Sequence, residues 1–141
     1  MSVQIRSLHQ NQSSSLEEVT TYWPTGELKE QFTIKNGEKH GMYTLYYKDG
    51  ALKRQCNYAN GFLDGKDIKM YPTEEAENTG KLLSQNNYEQ GLLHNSQYYY
   101  WPNGNLSKIQ TFAYNKLVNE KCFDEQGGKI YDDHSIGCII A

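Results

Sequence analysis

The side chains with the strongest claim to chemistry stand together at the end of the sequence, Cys138-Ile139-Ile140-Ala141. A cysteine, two aliphatics and an alanine is the terminal tetrapeptide read by prenyltransferases, and alanine in last place belongs to the class typical of farnesyl transfer. The preceding Asp132-Asp133-His134-Ser135-Ile136-Gly137 is polar and short of hydrophobes, so it suits a tether that can enter an enzyme cleft. A second reading stands beside it, in which Ile136, Ile139 and Ile140 form a last capping strand or fold back on the sheet. The other two cysteines are bland. Cys56 falls in the alternating run Leu52, Arg54, Cys56, Tyr58, and Cys122 lies beside Phe123; both read as small packed hydrophobes without an activating neighbour. Three cysteines without a spacing pattern point to a reducing compartment. Glu74-Glu75-Ala76-Glu77 offers carboxylates, yet a block of like charge is ordinarily a solvated loop.

Whether the histidines could form a metal site depends on the elements that carry them. Those elements are set by a glycine register. Tyr22-Trp23-Pro24-Thr25-Gly26-Glu27-Leu28-Lys29 aligns with Tyr46-Tyr47-Lys48-Asp49-Gly50-Ala51-Leu52-Lys53 and with Tyr100-Trp101-Pro102-Asn103-Gly104-Asn105-Leu106-Ser107. A further copy opens at Met70-Tyr71-Pro72 and closes at Gly80-Lys81-Leu82, and a degenerate fifth begins near Phe123-Asp124-Glu125-Gln126-Gly127. Gly26, Gly50, Gly80 and Gly104 are separated by 24, 30 and 24 residues, with the six extra residues inside Thr73 to Thr79. Gly37, Gly61 and Gly91 keep the same spacing, and Gly41 and Gly65 follow the first two by four residues. Two series that share one insertion mark an internal repeat.

Asp49-Gly50, Asn103-Gly104, Asn36-Gly37 and Asn60-Gly61 are dipeptides suited to positive φ in tight hairpin turns. Each unit is therefore expected to contain two turns and one β-hairpin. The runs between turns, such as Leu28 to Lys35 and Met42 to Lys48, are strand-length and rich in β-branched and aromatic residues. The expected fold is all-β: an elongated single antiparallel meander of repeated hairpins, about ten strands in all. In such a sheet His40 and His94 occupy equivalent places, where the second copy has Asp64, roughly 10 Å apart per unit. They cannot share one ion directly, and a turn residue bonding its own backbone explains all three. No metal, cofactor or catalytic residue is expected.

Composition agrees. Of the 141 residues 37% are hydrophobic, which supplies a compact core poorly, whereas 12 Tyr and 2 Trp suit a sheet with both faces partly wet. A net charge of −3 implies no field for gathering nucleic acid. No apolar run resembles a signal peptide or a membrane span. The expected organisation is a mobile leader over 1–18, with a short strand at Val3 to Ile5, a repeat domain over 19–131 and a flexible tail over 132–141.

The aromatic pair, turn, glycine and polar-Leu-Lys pattern, with Asn36-Gly37-Glu38-Lys39-His40-Gly41 closing the next turn, resembles the membrane occupation and recognition nexus (MORN) repeat. It is similar in particular to the bacterial variant labelled antitoxin-like, over about Thr21 to Ile130. The departures are Asn95 where the series expects glycine and Lys116 where the last turn glycine should stand; those turns are expected to be looser or shifted by a residue. The resemblance implies a twisted ribbon that binds or scaffolds a protein partner, and no enzyme. Combined with the terminal tetrapeptide, it leads to two expectations. One is a bacterial effector farnesylated at Cys138 by a host prenyltransferase and drawn from the cytosol to membranes. The other is a cytoplasmic antitoxin-like neutraliser whose aromatic row Tyr98-Tyr99-Tyr100-Trp101 meets its partner. Alternation would put Tyr98 and Tyr100 on one face and Tyr99 and Trp101 on the other.

Overall fold

The structure is a computed structural model and describes residues 2–10, 14–73 and 80–130. The acidic stretch Glu74 to Glu77, His134 and the tetrapeptide Cys138 to Ala141 lie outside the described residues. The strands are β1 (Val3–Gln10), β2 (Ser14–Tyr22), β3 (Leu28–Lys35), β4 (Glu38–Lys39), β5 (Gly41–Tyr46), β6 (Leu52–Ala59) and β7 (Phe62–Met70). They continue with β8 (Leu82–Glu89), β9 (Leu92–Leu93), β10 (Asn95–Tyr100), β11 (Leu106–Ala113), β12 (Lys116–Phe123) and β13 (Lys129–Ile130). All pair antiparallel in one open sheet that follows chain order, with β4 on β3 and β9 on β8. The expected meander of hairpins is what the chain forms. β1 runs well beyond Val3 to Ile5 and pairs with β2 from Val3 opposite Thr21 to Gln10 opposite Ser14.

The two turns of each unit are of different kinds. At one edge the Trp23 N–H reaches the Glu27 carbonyl at 2.8 Å and the Gly26 N–H reaches the Trp23 carbonyl at 2.8 Å. The same pair of bonds recurs at Tyr47, Gly50 and Ala51, at Trp101, Gly104 and Asn105, and at Asp124, Gly127 and Gly128. The degenerate fifth copy therefore makes a full turn. In the copy with the insertion the Tyr71 N–H meets the Lys81 carbonyl at 2.9 Å, so the six extra residues leave the pairing intact. Contrary to expectation, Asp49 and Asn103 do not adopt positive φ here; only the glycines do. Their Oδ1 atoms instead accept the N–H two residues on, from Ala51 at 3.0 Å and Asn105 at 2.9 Å.

At the other edge both central residues have positive φ, 50° and 82° at Asn36 and Gly37, 49° and 84° at Asn60 and Gly61. That is the I′ turn, whose twist matches a right-twisted hairpin. Gln90-Gly91 and Tyr114-Asn115 complete the series. The last glycine place is thus held by Asn115, with φ of 68°, and not by Lys116, which opens β12. Asn95, with φ of 63°, takes the conformation of Gly41 and Gly65, so that turn is neither looser nor shifted.

Register shows where the packing lies. One unbroken cross-strand row runs Thr21, Glu30, Leu45, Arg54, Lys69, Ser84, Tyr99, Lys108, Cys122 and Ile130. Val19, Cys56, Asp67, Asn86 and Gln97 lie two residues from this row on the same face, because side chains alternate along a strand. With Thr21, Tyr43, Ser84 and Cys122 they account for every buried residue except Thr44 among those described. No second layer of described structure covers that face; long side chains lying across their neighbours close it.

Candidate binding surfaces

His40, Asp64 and His94 serve as links between repeats. The His40 Nδ1 accepts the N–H of Asn60 at 3.2 Å, the Asp64 Oδ1 accepts that of Gln90 at 3.2 Å, and the His94 Nδ1 accepts that of Tyr114 at 3.4 Å. Each caps the first residue of the next unit's I′ turn. The expectation that these side chains bond their own backbone is corrected: the bond crosses to the following repeat. Backbone bonds run beside them, from Gly61 to Lys39, Gly91 to Leu63 and Asn115 to Leu93. Val118 stands at the next equivalent place and is 56% exposed, beside a bulge in the β11–β12 pairing. Among the described residues no I′ turn follows it for a polar side chain to cap.

The opposite edge uses donors. The Tyr47 hydroxyl donates to the Met70 carbonyl at 2.9 Å, the Tyr71 hydroxyl to that of Tyr100 at 2.6 Å, and the Trp101 Nε1–H to that of Phe123 at 2.9 Å. In these three units the second aromatic is thus a strap onto the next hairpin. Trp23 holds the same place with its buried Nε1 unpartnered, while Lys29 and Lys48 lie over its ring at 4.8 and 5.4 Å.

A register shift between Tyr99 and Tyr100 breaks the alternation expected of the aromatic row. Tyr98 pairs with Gln85 and Ile109 on one face, whereas Tyr99, Tyr100 and Trp101 gather with Tyr71, Phe123 and Ile130 around a shallow hollow of about 250 Å³. All four residues of the row are half-buried. The Lys108 ammonium lies 4.7 Å over the Tyr99 ring, and burial raises the pKa of the Tyr99 hydroxyl. The hollow offers apolar ring surface with one cation at its side.

Polar groups dominate the packed face, which sequence reasoning missed. Arg54 grips Asp67 in a fork, Nε to Oδ1 and Nη2 to Oδ2 both at 2.8 Å, with Asp67 only 1% exposed. The Asp67 bond, followed by the nearby charge, holds the Arg54 guanidinium above its ordinary pKa against the opposing effect of burial. Gln97 is fully buried, donating to the carbonyls of Asn87, His94 and Asn95 and accepting the Asn87 N–H. Cys56 is a buried free thiol whose pKa burial raises, which suits packing and opposes thiolate chemistry. Among the described residues no group of three or more His, Cys, Asp or Glu converges as a metal would require.

The MORN repeat variant matches this chain at residues 18–36, 39–60 and 93–114. No curated protein sequence and no solved structure matches it. Repeats of this kind generally bind proteins or membranes and are generally not enzymatic. The copy between the second and third matches holds the insertion, and β7 with β8 forms the same hairpin there. A binding scaffold is the class that fold and repeats define.

Proposed function

We propose that this chain is a cytosolic docking ribbon whose aromatic hollow takes an apolar segment of a partner protein, and that a farnesyl group on Cys138 brings the pair to a membrane. The observation that carries the docking is the hollow itself: Tyr71, Tyr99, Tyr100 and Trp101 present ring surface beside Lys108 while their tips are already anchored at Tyr71 and Trp101. Pre-anchored rings lose little side-chain freedom on binding. The lipid rests on the sequence Cys138-Ile139-Ile140-Ala141. A single lipid chain gives only reversible membrane binding, and Asp132 and Asp133 are the opposite of a polybasic second signal. The protein partner must therefore supply the remaining affinity. A bacterial protein acting inside a eukaryotic cell would unite the repeat variant with this chemistry.

Intact mass of the tagged chain from animal cells tests the lipid, with a farnesyl increment expected in the wild type and none in Cys138→Ser. Equal membrane association of the two would remove the lipid and leave the second reading, an antitoxin-like neutraliser using the same hollow. Under both readings Trp101→Ala should abolish partner capture; if capture survives, the hollow is not the docking site.

A further inference from the structure

The residue that follows each I′ turn is, in order along the ribbon, Glu38, Phe62, Leu92 and Lys116. Each opens the returning strand of its hairpin, opposite Lys35, Ala59, Glu89 and Ala113 respectively. Equivalent places in successive units put all four on one face of the turn edge, spaced about 10 Å apart. All four are exposed, Phe62 to 61% and Leu92 to 38%. Glu38 and Phe62 lean onto the following turn: a Cβ at Gly91 would meet the Phe62 ring at 3.0 Å, and one at Gly61 would meet Glu38 at 3.5 Å. Glycine at position 91 is therefore also what gives the Phe62 ring its room, whereas the approach of Glu38 to Gly61 is an ordinary van der Waals distance. Beside Phe62 the surface dips between Ala59, Asn60, Asp64 and Gln90.

The row reads acid, ring, aliphatic, base. Reversed end to end, it meets itself with apolar against apolar and charge against opposite charge. A two-fold axis between Phe62 and Leu92 would set Phe62 against the partner's Leu92 and Glu38 against the partner's Lys116, each contact made twice. Placed side by side in parallel, the same row would bring Glu38 to Glu38 and Lys116 to Lys116. We propose that a second copy of this chain docks antiparallel along the I′ turn edge, with Phe62 and Leu92 as its apolar centre and Glu38 and Lys116 as its charged rim. The aromatic hollow lies elsewhere, so the dimer leaves it free.

Sedimentation velocity of the full chain over a concentration series tests this. Wild type is expected to be dimeric and Phe62→Ser monomeric. E38K and K116E should each weaken the dimer about tenfold by setting like charges together at two symmetry-related contacts. The double variant E38K/K116E should recover wild-type affinity, because the antiparallel pairing is rebuilt with its signs exchanged. All four sites are on the surface, and circular dichroism would report retained strand content. A wild type still monomeric at about 0.1 mM, a Phe62→Ser variant that remains dimeric, or a double variant no tighter than the singles would each overturn the proposal. Loss of the dimer on Trp101→Ala with Phe62→Ser unaffected would place the interface at the hollow instead.

Discussion

The packed face is built one way in its first half and another way in its second. In the first half rings do the covering: the Lys39 ammonium lies 5.0, 4.8 and 5.4 Å from the ring centres of Phe32, Tyr43 and Tyr58, and the Tyr43 hydroxyl donates to Glu30 at 2.7 Å. In the second half amides join the rings: Gln97 clasps the backbone of β8 and the β9–β10 junction and Gln110 donates to Glu120 at 3.1 Å, while Tyr99 lies under the Lys108 ammonium at 4.7 Å. Arg54 and Asp67 stand where one regime gives way to the other. The place in the repeat is the same: Tyr43, Asp67 and Gln97 occupy equivalent positions of β5, β7 and β10. Where no second layer of described structure lies on the sheet, a side chain long enough to close over its neighbours is needed, and that requirement is met by rings or by saturated hydrogen bonds alike.

The hardest test is applied at the junction. Arg54→Leu leaves the Asp67 carboxylate buried without its partner and should cost about 3–5 kcal/mol in urea unfolding. Replacing both residues by leucine should recover most of that loss, since the pair itself contributes little net stability. Next, Gln97→Leu strands the Asn87 N–H and several carbonyls and is expected to cost about 2 kcal/mol. Tyr43→Phe keeps the ring and loses one hydrogen bond, so about 1 kcal/mol is expected; an equal or larger loss than Gln97→Leu would erase the distinction between the halves.

The same variant bears on alkaline stability. Burial raises the hydroxyl pKa of Tyr47, Tyr58, Tyr71, Tyr88 and Tyr99, and raises that of Tyr43 furthest, with Glu30 adding to it. An unfolded tyrosine titrates near pH 10, and the folded ones hold their protons higher. Their contribution is fully present below about pH 10 and is lost as pH rises through the folded values. Urea midpoints should therefore hold steady to about pH 10 and then fall, with a shallower fall in Tyr43→Phe. Smallest of all, Asp64→Ala frees one exposed turn N–H and should cost under about 1 kcal/mol, because water replaces the lost acceptor.

Turn positions were legible because φ is a local property: the spacing of Gly26, Gly50, Gly80 and Gly104 and of Gly37, Gly61 and Gly91 marks two edges, and all seven have positive φ. The role of His40 was not legible, since its acceptor bond goes to Asn60, 20 residues on. Alternation across Tyr98 to Trp101 failed at a one-residue register shift that no residue type in the row announces. Gln97 reads as a solvent-facing strand residue until the equivalent places of Tyr43 and Asp67 are compared. That comparison was available in the sequence and would have flagged a demanding position.

By itself, then, the sequence determined the repeat, the order of the hairpins and the antiparallel meander, because glycine and Asn-Gly conformations depend on neighbours along the chain. Only the tertiary structure decided which face is closed, what each polar side chain is bonded to, and which rings share a hollow. Those outcomes depend on strands brought together across 20 residues or more, where register and bulges choose partners that adjacent residues cannot specify.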